Sequence, residues 1–306
     1  MMGVSRRVLV TGGGGFIGAW TIATLLERGH TPIVLDVETP GPFVRRLIGP
    51  RVEDICWAIG DITDEALIDR LVRGVDAVIH LAGVLMPFCS ANPVPGARIN
   101  VVGSTAVFAA AAKEGVRGVA YASSAAVYSP TGLETAPSSL YGAYKRSVEV
   151  IAAAFHAEFG LSTAGIRPLV VYGPGRQTGA SAGMTLACRA AAVGEGFQIE
   201  HGGTIDAVFV ADVADAFVKS ALDPVPGAHS WALSGRMISV EEIAAVIERE
   251  APGVRVTAGS GGLGIHPNLT DQDLRNVRDD IRHTTIEDGI AQTIAYYAGF
   301  PPAPLR

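Results

Sequence analysis

The stretch Arg7-Val-Leu-Val-Thr-Gly-Gly-Gly-Gly-Phe-Ile-Gly18 decides the fold of this chain. Its apolar beginning is typical of a buried parallel strand, and glycines at positions 12, 15 and 18 follow at three-residue intervals. An amphipathic helix is predicted from there to Arg28, and a second apolar strand ends on Asp36. This order of strand, glycine turn, helix, strand and acid predicts a dinucleotide site, because glycines let the backbone approach a pyrophosphate at a helix N-terminus.

Asp36 also bears on the choice of cofactor. A carboxylate at the end of the second strand can accept hydrogen bonds from the adenosine ribose hydroxyls and would repel a 2′-phosphate. The next residues, Val37 and Glu38, supply no arginine to offset this repulsion, although Arg45 and Arg46 are near enough in sequence to fold back. The sequence therefore favours NAD over NADP.

A candidate catalytic pair stands at the start of a helix predicted over 141–159. Tyr141 and Lys145 are four residues apart and therefore share one face. A lysine cation beside a phenol favours the phenolate, so we expect a lowered pKa for Tyr141 and the role of general base. A fifth strand at 118–123 brings a hydroxyl to the edge where open parallel sheets bind ligands. The strand pattern leaves open whether Ser123 or Ser124 faces the site.

Three of the singled-out positions have simple structural alternatives. The Tyr-x-x-x-Lys spacing alone also fits a surface lysine beside a half-buried tyrosine. Asp61 follows a third strand predicted at 52–59, and it either meets the adenine edge or is a turn or helix-capping residue before the next helix. His80 lies in a fourth strand, predicted within 76–83 as a strand that runs into a small-residue turn, where a packed histidine is a simpler explanation than a catalyst.

Composition and charge argue against several classes of protein. The 306 residues carry a formal net charge of −6 without a basic block, so we expect no nucleic-acid binding. No run of 18 apolar residues is present and the first strand begins by about Arg7, so neither a membrane span nor a signal peptide is expected. Cys56, Cys89 and Cys188 lack paired spacing, which indicates free thiols in a reducing compartment and predicts a cytoplasmic protein without a metal site.

The later elements complete an α/β pattern. A sixth strand is predicted at 162–167, and beyond Tyr172 the pattern breaks into shorter pieces: helices at 183–193, 212–222 and 239–250 and a strand at 206–210. The predicted fold class is α/β, a Rossmann-type doubly wound parallel sheet with a smaller C-terminal substrate lobe. Residues 1–172 form the dinucleotide-binding domain, and residues 173–306 form mostly the smaller substrate-binding lobe, with segments that return to the main domain.

The chain resembles the extended short-chain dehydrogenase/reductases, the NAD-dependent epimerase/dehydratase family, over nearly its whole length. The order of the matching motifs is specific to that family. They are Thr-Gly-Gly-Gly-Gly-Phe-Ile-Gly at 11–18, Asp36, Gly-Asp-Ile at 60–62, His-Leu-Ala-Gly at 80–83, Asn-Val-Val-Gly-Ser at 100–104, Ser-Ser-Ala-Ala-Val-Tyr at 123–128, Tyr-Gly-Ala-Tyr-Lys at 141–145, Arg-Pro at 167–168, Tyr-Gly-Pro-Gly at 172–175 and Phe-Val-Ala-Asp-Val at 209–213.

The resemblance implies a role for each matched residue. Ser124 would be the catalytic hydroxyl, Tyr141 the acid/base, and Lys145 the residue that binds the nicotinamide ribose and lowers the pKa of Tyr141. The helices at about 96–114 and 141–159 resemble the pair that family members use for a two-fold contact, so we expect a homodimer. The implied binding set for NAD is Gly12, Gly15, Phe16, Ile17, Gly18, Asp36, Asp61, Ile62, Leu81, Ala82, Gly83, Tyr141, Lys145 and Pro168.

Two departures from the family pattern concern the substrate. Relatives that act on nucleotide sugars usually carry an Asn shortly after the Arg of the sixth strand, and an Arg just before the Asp of a later strand. Here Leu169 and Val170 follow Arg167-Pro, and Ile205 precedes the later Asp. A diphosphate buried without cationic partners is costly, so we expect a smaller substrate unless Arg176 and Arg189 compensate. Ser124, Tyr141 and Arg176 are the predicted substrate contacts.

The leading hypothesis is an NAD-dependent oxidoreductase, a dehydrogenase or epimerase. It would act on a secondary hydroxyl of a sugar, sugar acid or similar polyhydroxylated small molecule, with Tyr141 as acid/base. The first alternative is a nucleotide-sugar 4-epimerase. A dehydratase is disfavoured because Ala125 and Ala126 stand where an acidic pair would be expected. The alternative from another class is a catalytically inactive NAD-binding regulatory protein, against which the intact Ser124, Tyr141 and Lys145 argue.

Overall fold

The structure is a computed structural model that describes residues 4–128, 137–263 and 273–300. Most of a polar loop that the sequence predicts over 130–139 lies outside the described residues. The strands are β1 (Arg7–Thr11), β2 (Thr31–Asp36), β3 (Cys56–Ile59), β4 (Ala77–His80), β5 (Val119–Ala122), β6 (Thr163–Pro168), β7 (Val170–Tyr172), β8 (Phe197–Ile199), β9 (Thr204–Phe209), β10 (Ala228–Leu233), β11 (Arg236–Ser239) and β12 (Val256–Ala258). The α-helices are α1 (Phe16–Glu27), α2 (Pro42–Ile48), α3 (Glu65–Val72), α4 (Met86–Ala91), α5 (Pro93–Ala97), α6 (Gly103–Lys113), α7 (Leu140–Phe159), α8 (Gly183–Ala191), α9 (Val210–Leu222), α10 (Val240–Glu250) and α11 (Ile286–Gly299).

The central sheet has seven parallel strands in the order β10-β6-β5-β4-β1-β2-β3. β1 pairs with β2 on one side and with β4 on the other, so the strand order reverses at β1. Doubly wound sheets bind ligands outside the carboxyl ends of the strands that flank such a switch point. The predicted Rossmann-type fold is confirmed, and the crevice lies where β1 and β4 end, at Thr11 and His80.

Both faces of this sheet are buried, which explains its uninterrupted apolar strands. Val8 and Val10 of β1 belong to one apolar core, and Leu9 between them belongs to the other. This alternation is the two-residue period of a strand, with successive side chains on opposite faces. The first core continues into α1 and α9, and the second into α3, α6 and α7.

Two segments beyond residue 173 return to the central sheet. β10 adds an edge strand parallel to β6, with Trp231 opposite Ile166. α9 packs between α1 and the strands β4, β5 and β6, and this position buries Val210–Val218 on all sides. The remaining strands form two small sheets, β11-β9-β7 and β12-β8.

Several elements depart from the predicted bounds. The third strand is only β3, because a 3-10 helix occupies Gly49–Asp54. The helix predicted at 96–114 is interrupted by a π-helical turn over Arg98–Val102. At that turn, buried Asn100 donates to the carbonyls of Gly96 and Val84, both at 3.1 Å, and accepts from Val84 N at 3.3 Å. The interruption therefore ties the turn after β4 to the helices that follow.

The helix that carries Tyr141 and Lys145 matches its prediction closely. α7 begins after Ser139, whose hydroxyl accepts from Gly142 N at 3.1 Å and so caps the helix. It ends at Gly160, which takes the left-handed conformation at φ 71°. Both ends are set by local sequence, so the helix presents the same face that the four-residue spacing predicts.

Candidate active site

The glycine turn after β1 is packed too closely for side chains. Gly12 has φ +72°, and a Cβ on it would lie 2.7 Å from Ala82 N. A Cβ on Gly18 would lie 2.2 Å from the carbonyl oxygen of Gly12. A Cβ on Gly15 would meet only that same oxygen, at 3.3 Å, so the backbone at the start of α1 stays accessible. These contacts fit the predicted cradle for the pyrophosphate of NAD at the N-terminus of α1.

Asp36 ends β2 beside this turn. Its Oδ2 accepts from Gly14 N and its Oδ1 from Val37 N, both at 2.8 Å. The carboxylate is therefore held at the rim of the cavity where the adenosine ribose of NAD is expected. Asp61 also lines that cavity, and its Oδ1 accepts from the backbone and hydroxyl of Thr63, both at 2.8 Å. Asp61 thus makes a turn contact at the cofactor wall, and the cap of α3 is Asp64, whose Oδ1 accepts from Leu67 N at 3.0 Å.

Two adjoining cavities lie at the carboxyl ends of the central strands, a catalytic cavity of about 570 Å³ and a side cavity of about 380 Å³. Every residue of the implied NAD set, and each of the predicted substrate contacts Ser124, Tyr141 and Arg176, lines one of them. The side cavity is lined by Asp36, Asp61, Ile62 and Ala82. The catalytic cavity is lined by Gly12, Gly15, Phe16, Ile17, Gly18, Leu81, Gly83, Ser124, Tyr141, Lys145, Pro168 and Arg176.

Ser124 and Tyr141 meet in the catalytic cavity. Burial raises the pKa of Tyr141, and a hydrogen bond with Ser124 opposes that rise by favouring the phenolate. The charge of Arg176 acts in the same direction as the hydrogen bond. The serine hydroxyl and the phenol can therefore engage one substrate oxygen together.

Lys145 does not act on Tyr141 as the sequence predicts. Its Nζ donates to the carbonyl of Ala122 at 2.7 Å and lies 5.8 Å from the centre of the Tyr141 ring. Burial disfavours the charged form of both groups. It therefore lowers the pKa of Lys145, to about 8, and raises the pKa of Tyr141. The expected lowering of the Tyr141 pKa is thus wrong for this structure, because burial is the largest cause and raises that pKa, and the opposing contributions come from Ser124 and Arg176.

The two serines at the end of β5 have different environments. Both serines line the catalytic cavity, but Ser123 is buried and its hydroxyl donates to Glu149 Oε1 at 2.5 Å, whereas the Ser124 side chain accepts from Ala126 N at 3.1 Å. Glu149 is also bound by Arg167, so Ser123 belongs to an internal ionic group. Of the two serines, Ser124 is the one that hydrogen-bonds Tyr141, so the structure favours it in the choice that the strand pattern left open.

His80 is a packed residue, as its position in a buried strand suggested. Its Nδ1 lies 2.7 Å from the Thr11 hydroxyl and its Nε2 lies 2.9 Å from the Ser104 hydroxyl. Complete burial lowers its pKa to about 3, so the imidazole is neutral at ordinary pH. It links β4, β1 and α6 beneath the cofactor turn.

The loop that carries Arg176 is anchored by three distant elements. Trp20 Nε1 donates to Pro174 O at 2.9 Å, and Gly175 N donates to the Tyr297 hydroxyl at 3.0 Å. Gly175 has φ +102°, and a Cβ there would lie 2.1 Å from the Phe43 ring. Arg176 then lies with its guanidinium carbon 5.8 Å from the centre of the Phe16 ring and lines the catalytic cavity.

From the sequence we also predict that the glycine-rich loop at 173–183 holds the substrate through Arg176, Gln177, Thr178 and Ser181, and the structure places part of this set in the cavity. Arg176 and Ser181 line the catalytic cavity, but Gln177 and Thr178 are exposed and do not line it. Sequence reasoning also missed a set of wall residues from separate parts of the chain, for which only the tertiary fold gives a signal. They are Leu85, Met86, Pro87, Ser138, Ser139, Leu169, Val171 and Leu263.

Among the described residues no group of three or more His, Cys, Asp or Glu side chains is placed to hold a metal ion. In the same part of the chain, no helix combines the length and apolar character that crossing a membrane requires.

A doubly wound sheet with a glycine turn at its switch point, and a tyrosine and lysine on the adjacent helix, defines a nicotinamide-dependent enzyme of Rossmann fold. This chain belongs to the NAD-dependent epimerase/dehydratase family, whose model matches residues 8–232. It is an enzyme of the epimerase/dehydrogenase type and NAD is its cofactor.

Individual relatives match over most of their length. A UDP-glucose 4-epimerase of Azospirillum brasilense is 31% identical over 283 residues, which cover 83% of this chain and 80% of that protein. A UDP-glucose 4-epimerase of Mycolicibacterium smegmatis is 30% identical, with 95% of this chain and 98% of that protein covered. The crystal structure of Thermus thermophilus UDP-glucose 4-epimerase in complex with NAD superposes with a TM-score of 0.79 at 24% identity, covering 96% and 99% of the two chains.

Proposed function

We propose that the protein oxidises a secondary hydroxyl of a small sugar, sugar acid or related compound, with Tyr141 as acid/base. The reaction either ends with release of the ketone or continues to the epimer. The observation that carries this proposal is that Ser124, Tyr141 and Lys145 line one cavity that also reaches the glycine turn.

The contributions of the side chains follow from their positions. Tyr141, as phenolate, takes the hydroxyl proton while the carbon–hydrogen bond breaks, and Ser124 hydrogen-bonds the same oxygen. Lys145 supplies a cation that binds ribose hydroxyls. NAD, when bound, supplies the hydride acceptor and, in its oxidised form, a positively charged ring. Because burial raises the pKa of Tyr141, the base depends on Ser124 and on nearby positive charge to lose its proton.

A substrate smaller than a nucleotide sugar is supported by the two departures from the family pattern. Leu169 lies near the position where the family pattern has an asparagine, and it presents an apolar side chain to the catalytic cavity. Ile205, at the expected arginine, is a core residue with 4% of its surface exposed. Among the described residues that line the cavity, the cations are Lys145 and Arg176. A buried diphosphate favours more cationic partners than this pair.

A nucleotide-sugar 4-epimerase is the second candidate. The observation in its favour is that two relatives near 30% identity are named UDP-glucose 4-epimerases and match this chain over most of their length. Epimerisation uses the same Tyr141 chemistry, so the two candidates differ in the substrate rather than in the base.

A paired screen tests the proposal. NADH formation is measured with free sugars, aldonates, uronates and short hydroxy acids, and interconversion is measured with UDP-, GDP- and dTDP-sugars. We expect turnover of a small compound and none of the nucleotide sugars. Turnover of a nucleotide sugar at ordinary efficiency would establish the second candidate instead, and NAD binding without any turnover would favour a regulatory protein.

The assembly, the compartment and the domain boundary are also proposals. Exposed valines on the helices expected to pair, Val102 and Val150, support a homodimer. The free thiols of Cys56, Cys89 and Cys188 support a reducing compartment such as the cytoplasm. The boundary near residue 172 is supported by the glycine-rich loop that follows β7.

A further inference from the structure

Arg176 is a cation without a carboxylate partner among the residues that the structure describes. One guanidinium nitrogen donates to the Ser181 hydroxyl at 2.9 Å, but the buried Nε–H has no acceptor. Among the described residues no carboxylate lies within ion-pair distance of it. Burial lowers the pKa of Arg176, which expresses the cost of removing the charge from water. A ligand anion at this position would remove that cost.

The neighbourhood of Tyr141 limits which anion fits. Arg176 and Tyr141 each shift the pKa of the other, so their charged groups share one part of the cavity. Both residues line the catalytic cavity, so a substrate whose hydroxyl meets Tyr141 can present an anion to Arg176 from the same molecule. The Lys145 amine is already bonded to the Ala122 carbonyl. A single planar guanidinium is suited to one carboxylate, which it can bind through two parallel hydrogen bonds.

Much of the remaining wall is apolar. Leu85, Met86 and Pro87 contribute from the start of α4, and Leu169 and Val171 from the end of β6 and from β7. A substrate hydroxyl buried against such side chains would lose its water without gaining a partner. An alkyl group in the same place would instead be stabilised by leaving water.

We propose that the substrate is a short hydroxy acid whose carboxylate binds Arg176 and whose body is largely alkyl. This inference rests on the proposed function and narrows its substrate range to acids with few further hydroxyls. In the reaction, the carbinol gives its hydroxyl proton to Tyr141 and its carbon-bound hydride to NAD. The products are an oxo acid and NADH, and the proton leaves Tyr141 for solvent.

A binding experiment isolates the carboxylate site from catalysis. Calorimetry on the NAD-loaded enzyme compares butyrate with its neutral analogue butyramide. We expect butyrate to bind more tightly than butyramide, and Arg176→Gln to weaken butyrate by about 10- to 100-fold while leaving NAD affinity unchanged. Arg249→Gln, at an exposed arginine of α10, is the matched control and should change neither.

Two outcomes of that experiment would overturn the inference. Equal affinities for butyrate and butyramide would show that the cavity does not select an anion. A loss of NAD affinity in Arg176→Gln, with butyrate binding unaltered, would assign the guanidinium to the cofactor pyrophosphate.

A turnover experiment then tests the alkyl body. NADH formation is compared for beta-hydroxybutyrate, lactate, gluconate and the neutral alcohol 2-butanol. The alkyl hydroxy acids should be the better substrates, and Arg176→Gln should raise KM for them more than it lowers kcat. Gluconate turned over as efficiently as the alkyl acids would overturn the inference. If butyrate binds as expected but no alcohol of any class yields NADH, the proposed oxidoreductase function fails while the anion site stands.

Discussion

Arg167 and Glu149 form a two-bond ion pair in the interior, with Nε 2.7 Å from Oε1 and Nη2 2.8 Å from Oε2. Arg167 comes from β6 and is 1% exposed, and Glu149 lies one turn after Lys145 on α7. The same carboxylate accepts from Ser123, and Arg167 also donates to the Tyr128 hydroxyl at 2.6 Å. The helix that carries the candidate base and the strand end that carries Ser124 are therefore joined through one carboxylate.

Glu149→Gln should destabilise the fold by about 3 to 5 kcal/mol, because it removes the charge that compensates buried Arg167. Burial alone would raise the pKa of Glu149, but the hydrogen bonds and charge of Arg167 outweigh it and hold that pKa below its ordinary value. The pair therefore stabilises the fold fully above the ordinary carboxyl pKa of about 4.3, and its contribution is lost as pH falls through the lower folded value. Urea unfolding at pH 7 measures the loss, and Glu158→Gln, exposed on the same helix, should stay within about 0.5 kcal/mol of wild type.

Tyr141→Phe should lower kcat by about 100- to 10,000-fold while NAD affinity stays near wild type, because it removes the proton acceptor and little else. Tyr144→Phe is the matched control, since it deletes a phenol on the same helix that donates to Pro93 O at 2.9 Å. Initial rates and NAD calorimetry on both variants decide the assignment. Activity of Tyr141→Phe within a few-fold of wild type would assign the base elsewhere.

Asp36→Ala should narrow the preference for NAD over NADP, because the carboxylate that repels a 2′-phosphate is lost. The change also removes the acceptor of Gly14 N, so NAD itself should bind more weakly. Titration of both cofactors by calorimetry gives the ratio of their Kd values. Glu38→Ala, two residues further along, should leave that ratio unchanged, and an unaltered protein that prefers NADP would contradict the prediction.

The stability of the protein should fall between pH 6.5 and pH 5 partly through His80. Its folded pKa of about 3 is far below the ordinary 6.5, so in this window the unfolded chain binds a proton that the folded chain does not. Stability due to this residue therefore rises with pH and is complete above 6.5, with a slope of about 1.4 kcal/mol per pH unit. His80→Gln should flatten the measured slope. Ser104→Ala also weakens the fold but keeps the imidazole, so its slope should match wild type.

Val150→Arg should convert the proposed homodimer to a monomer. Val150 is 59% exposed on α7, and a charge buried in a helix-to-helix contact would lack a partner. Light scattering at micromolar concentration gives the mass. Val277→Arg changes a valine of similar exposure, 50%, outside both helices and should leave the mass unaltered. A monomeric wild-type protein would remove the basis of this prediction.

Local patterns were sufficient for the cofactor half of the fold. The strand, glycine turn and helix up to β2 are fixed by residues close in sequence, and their bounds agree with the structure. β10 lacks such a signal, because Ala228–Leu233 becomes a strand only by pairing with β6, some sixty residues earlier. The sequence predicted that C-terminal segments return to the main domain without identifying this one.

Local sequence likewise predicted one part of the candidate site and not the other. Spacing placed Tyr141 and Lys145 on one face, but it carried no information on the Lys145 side chain, which turns to the Ala122 carbonyl. The position of Glu149 could have predicted its ion pair with Arg167. Glu149 follows Lys145 by four residues and lies next to Val148, on the buried side of the helix. A carboxylate there requires a cation, and Arg167 was available in the matched motif.

The loop around Arg176 cannot be exchanged between relatives without changes elsewhere in the chain. It is held by Trp20 from α1, by Tyr297 from α11, and by the fit of Gly175 against Phe43 of α2. A loop from a relative placed between β7 and α8 would lack the backbone positions that meet these partners, which come from three other parts of the chain. Changing what this enzyme accepts by engineering therefore means redesigning the first, second and last helices together with the loop.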